Sequence, residues 1–155
     1  MSFKITGLDG NDFSHLYGLP EDRLKSQGVI RLSIDKYPSY PDRITLRDIP
    51  VGETGLLLNH TFLDTHSPYK GSHAIFIWEG QLDAAVYVDS LPEVMERRIM
   101  SFRGFDTQDM LIEARIAQPD EAREHILSLF TDDRIAYILA HNAKQGCFSC
   151  RVERN

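Results

Sequence analysis

Apolar and polar positions divide the chain into short stretches with two different periods. Ile30, Leu32 and Ile34 alternate with Arg31, Ser33 and Asp35, which predicts a strand with one wet face. Met110, Ile112, Ala114 and Ile116 alternate in the same way with Leu111, Glu113 and Arg115. The apolar run Gly55–Leu58 predicts a central strand covered on both sides. His73–Trp78 and Ala84–Val88 are two further apolar runs, and Glu79-Gly80-Gln81 between them reads as a hairpin turn. Ile44–Leu46 is a candidate short strand. Ile99–Phe105 and Asp109–Ala117 form a hairpin around residues 106–108. Ile135–His141 and Cys147–Val152 form the last hairpin, around a five-residue loop, 142–146.

Helical spacing is confined to a few places. Phe13, Leu16 and Tyr17 suit one short helix. Pro20, Glu21 and Asp22 suit the first turn of another that stops at Gly28. Ser90-Leu91-Pro92-Glu93 reads as a capping box ahead of a short helix burying Leu91, Val94 and Met95. Pro119 opens the clearest helix, in which Ala122, Ile126, Leu129 and Phe130 recur as one stripe. The helices fall between groups of strands and do not alternate with single ones. The expectation is an α+β single domain over residues 1–155, a mostly antiparallel sheet of about seven or eight strands with about four short helices.

Composition narrows the function classes. With 42% apolar and 26% charged residues, the chain is ordinary for a globular protein. A net charge of −6 repels a polyphosphate, and no basic run exceeds Arg97-Arg98, so nucleic acid is not an expected partner. No stretch approaches the ~20 apolar residues of a membrane span. Met1–Thr6 lacks a secretory core, and Cys147 and Cys150 are the only cysteines. A cytoplasmic protein with reduced thiols is the expectation. No phosphate-binding glycine loop, nucleophile elbow or zinc-protease helix occurs, and no cofactor or metal is expected.

Several stretches resemble a known family. Ser67-Pro68-Tyr69-Lys70-Gly71-Ser72-His73-Ala74-Ile75-Phe76-Ile77 is one, and Ala136–Phe148, with its Gly146-Cys147-Phe148 ending, is another. The opening Phe3–Leu8 and the turn Pro50-Val51-Gly52-Glu53 add to them. Together they resemble a bacterial family of uncharacterised stand-alone proteins, domain of unknown function 1203. The resemblance implies a bacterial origin and a stand-alone domain, and no catalytic residue is carried over by it.

The chemistry has to come from the residues. A loop of 142–146 sets His141 and Cys147 directly opposite each other, with Cβ atoms about 4.5–5.5 Å apart. An imidazole beside a thiol favours the nucleophilic thiolate, and Asn142 is placed to orient the ring. Cys147 as nucleophile, His141 as base and Asn142 as orienting group form the catalytic candidate, for acyl or thiol transfer. A register slip of one residue would separate imidazole and sulfur onto opposite faces. Cys147-x-x-Cys150 is a poor redox or zinc pair, because residues three apart in a strand lie ~10 Å apart on opposite faces. His60, His66 and His73 with Asp64 flank the loop 63–72, at spacings that match no metal motif.

The same loop is long enough to hold a small ligand, with Tyr69, Lys70 and His73 as candidate contacts and Arg103 as a candidate clamp for an anion. A small-ligand site between loop 63–72 and hairpin 141–147 is the first reading. A non-catalytic interaction module, with a homodimer compatible, is the second. The sequence does not decide whether the chain is an enzyme.

Overall fold

A computed structural model describes all residues 1–155. Nine strands form two antiparallel sheets, accompanied by three short α-helices and three 3₁₀ turns. The mostly antiparallel α+β class is as the sequence indicates, but the strands divide into two sheets where one was expected.

The six-stranded sheet runs β5-β1-β9-β8-β6-β7, from β1 (Phe3–Thr6), β5 (Val86–Val88), β6 (Met100–Phe105), β7 (Leu111–Ala117), β8 (Tyr137–Asn142) and β9 (Phe148–Arg154). The three-stranded sheet is β2 (Ile30–Ser33), β3 (Thr54–Leu63) and β4 (Gly71–Trp78), with β3 in the centre. Helix α3 (Ala122–Leu129) lies on the larger sheet. Its stripe Ala122, Ile126, Leu129, with Phe130, is fully buried against Phe102, Ile138 and Cys150. α1 (Glu21–Ser26) ends before Gly28, whose φ of +72° suits a residue without a Cβ, and packs Leu24 over the smaller sheet.

The two sheets meet through Leu63 and Phe62 of β3 and Phe105, Tyr137, Leu139 and Phe148 of the larger sheet. The apolar run 84–88 does not pair with β4. After Trp78 the chain crosses to the other sheet, where β5 pairs with β1. Ala85 donates to the Ile44 carbonyl and Gly7 donates to Ala85 on the way. Residues 44–46 form no strand. They lie in a turn closed by the Pro41–Asp48 bridge, with buried Leu46 at φ +57°.

The expected capping box at Ser90 is also absent. α2 (Glu93–Glu96) starts after Pro92 with no side-chain cap. Glu93 accepts instead from the Tyr37 hydroxyl and, in a charge-assisted contact, from Arg97.

Candidate functional site

The last hairpin decides the site. Asn142 donates its backbone N–H to Cys147 and accepts from Gly146 at 2.7 Å, so the connection contains four residues, 143–146, one fewer than expected. Gly146 takes φ +82°, which closes the turn. Beyond it Ser149 is extra. His141 pairs with Phe148, and Ala140 with Cys150. The bulge restores the buried alternation of β9 after a one-residue change of register.

The expected His141–Cys147 couple is therefore not formed. The imidazole is 1% exposed and stands edge-on to Phe62 and Phe148. Its Nδ1 meets the Gly146 carbonyl at 3.0 Å, so Nδ1 carries the proton, and buried Nε2 has no partner. Burial first, and Arg103 second, hold its pKa down at about 4. His141 is a neutral, buried packing residue outside the cavity lining, correcting its expected role as base.

Asn142 takes its place beside the sulfur, donating from Nδ2 to Cys147 Sγ at 3.3 Å, while its Oδ1 is buried without a partner. The second donor is Arg43, which sequence reasoning passes over. Asp42 fixes the turn that carries it, accepting from the N–H and hydroxyl of Thr45 at 2.7 and 2.6 Å and from the Trp78 N–H at 2.8 Å. Arg43 is 1% exposed, the largest fully buried side chain of the molecule. Its Nη2 donates to Cys147 Sγ at 3.1 Å, Nε to the Phe148 carbonyl at 2.8 Å and Nη1 to the Pro41 carbonyl at 2.5 Å. None of these partners is a carboxylate. Burial pushes the Arg43 pKa down and the sulfur pulls it back up, yet a guanidinium starts so high that it stays charged.

These groups line a cavity of ≈220 Å³ together with His73, Phe76 and Arg98. His73 Nδ1 lies 2.9 Å from the Ala74 carbonyl, so it holds the proton and leaves Nε2 as a lone pair. Arg98 is clamped by Asp48 at 2.5 and 3.1 Å. Cys147 is 8% exposed at this wall, while Cys150 is sealed in the core and its thiol is pushed up to about 12 by burial.

Of the expected ligand contacts, only His73 reaches this cavity. Tyr69 stacks edge-on against Phe105, and Lys70 pairs with Asp64 at 3.1 Å. The loop is pinned down elsewhere. Asp109 accepts from Thr65 at 2.7 Å and Tyr137 at 2.5 Å, and Ser67 donates to its carbonyl. Arg103 donates to Ser101 and has no acidic partner, and burial pushes its pKa down. His60 packs against Phe13 and Phe148, opposite His73, and His66 is exposed. No three His, Cys, Asp or Glu side chains come together as metal ligands would.

The signal for Arg43 was the Asp42-x-x-Thr45 spacing of a side-chain-stabilised turn, and it says nothing of a guanidinium directed inward. No helix is long and apolar enough to cross a membrane. No curated protein and no solved structure matches the chain significantly. Residues 39–154 match the family described as protein of unknown function DUF1203, and the chain belongs to that family.

Proposed function

We propose that this member of the DUF1203 family binds a small molecule in the cavity beside Cys147 and works on it through the Cys147 sulfur, by acyl or thiol transfer. The observation that carries this reading is a buried guanidinium, without a carboxylate partner, aimed at a sulfur on a cavity wall. A charge taken out of water is costly unless it is balanced. The neighbouring Asp42 carboxylate offsets part of that cost at longer range, and the cavity beside the guanidinium leaves room for an anionic group on a bound molecule. Arg43 and Asn142 hold the sulfur. His73, with its lone pair on Nε2, replaces His141 as the group that can carry a proton. Reduced thiols are needed, which places the reading in the cytoplasm and suits a bacterial protein.

The test is acylation. Folded protein treated with a simple acetyl thioester and with 4-nitrophenyl acetate is expected to carry one acetyl group, mapped to Cys147 by peptide mass, and Cys147→Ser none. Absence of acetyl on Cys147 in the folded protein, while the denatured thiol accepts it, would refute the reading.

An interaction module is the second reading. It is favoured by edge strand β5, where Val86 and Val88 are 58% and 48% exposed. A dimer in light scattering that Val88→Asp dissolves would support it; a monomer at high concentration would dismiss it.

A further inference from the structure

A second cleft, of ≈260 Å³, adjoins the cysteine cavity, and Arg98, Asn142 and Gln145 line both. Arg97, Ile99 and Lys144 complete it. Lys144 is exposed on the hairpin loop and belongs to no ion pair. Arg97 is 42% exposed and uses only Nη1 on Glu93, Tyr37 and Asp48, which leaves Nη2 available. Asp48 is sealed behind Arg98, so the accessible wall is basic.

Asn142 stands between the two spaces. Its buried Oδ1 has no donor, and a buried acceptor left unmet is costly. An ester oxygen or a bare oxyanion at this point would only add a second acceptor; an amide N–H would satisfy it. On the sulfur side, Arg43 has committed three of the five N–H groups of a guanidinium and keeps one on each terminal nitrogen, suited to a carbonyl oxygen. In order along the two cavities, the walls thus ask for a carbonyl, an N–H and an anion.

We infer that the substrate is an N-acylated amino acid, or an equally small amide with a carboxylate on its nitrogen side; this rests on the thiol reading above. Cys147 Sγ would form a bond to the carbonyl carbon, moving the π electrons onto the oxygen beside Arg43. Collapse breaks the C–N bond. The proton taken from the thiol and held on His73 Nε2 passes to the nitrogen, which leaves as the free amino acid. Water then hydrolyses the thioester to a carboxylic acid and restores the thiol.

The probes are N-chloroacetylglycine and N-chloroacetylglycinamide, which share the electrophile and the N–H but differ in the terminal charge. The expected result is that the carboxylate reagent alkylates Cys147 about tenfold faster, the size of a charge-assisted contact, and that Lys144→Glu narrows the ratio. Equal rates on Cys147 would overturn the substrate class and leave the thiol site standing. Failure of both reagents to label Cys147 in the folded protein would overturn the two together.

Discussion

His141 shows how one residue's burial turns into a measurable pH dependence. Its folded pKa of about 4 lies below the ordinary 6.5, so between those values the unfolded chain binds the extra proton. Stability contributed by the neutral ring is complete above about pH 6.5 and is lost as pH falls toward 4. The shift corresponds to roughly 3 kcal/mol at most. Denaturant unfolding at pH 7 and pH 4.5 should show the native protein losing about 2 kcal/mol more than His141→Gln does, and equal losses would contradict the assignment. Arg43 is the harder test of burial. Arg43→Ala strands the Phe148 and Pro41 carbonyls, each costing about 1–3 kcal/mol when left unpaired, and a loss of about 2–5 kcal/mol is expected in the same assay.

At the scale of elements, two joints position the site. One is the turn 41–48, against which the chain just after β1 lies so closely that a Cβ on Gly7 would sit 2.2 Å from the Ile44 carbonyl oxygen. Gly7→Ala must push the backbones apart, and a melting temperature lower by several degrees is expected, on the scale of about 1–3 kcal/mol for overpacking. The other is Asp109, which pins loop 64–70 to Tyr137 and holds φ +60° itself. Asp109→Ala should make that loop the first site of limited proteolysis while the melting curve stays cooperative; unchanged cleavage would remove its anchoring role.

The elements were largely legible in the sequence, and the joints between them were not. The hairpin readings placed β6, β7 and β8 within a residue or two, although the apolar face read in β7 turns out to be exposed at Ile116, and the Ala122–Phe130 stripe located α3. The Ser149 bulge has no periodic trace, because a single extra residue changes register without changing composition. Reading the loop one residue too long put the wrong side chain, His141, beside the sulfur. Arg43 was invisible for the opposite reason: polarity predicts that an arginine points to water, and this one is held inward by two carbonyls and a sulfur.

Across the whole molecule, the split into two sheets explains why the site lies where it does. The turn 41–48 belongs to neither sheet, and it supplies the cation that meets the end of the last hairpin of the larger sheet beside β4 of the smaller. A net charge of −6 surrounds a locally basic cleft, so a small anion would be drawn to one place and polyanions repelled elsewhere. The central claim is that Cys147, and not Cys150, is the working sulfur. Residue-resolved alkylation of the folded protein by iodoacetamide tests it most directly. Cys147 should be modified at least ten times faster than Cys150, about the ratio one logarithmic unit of reactivity represents, and Asn142→Ala should slow it. Two cysteines equally inert until the chain unfolds would contradict it.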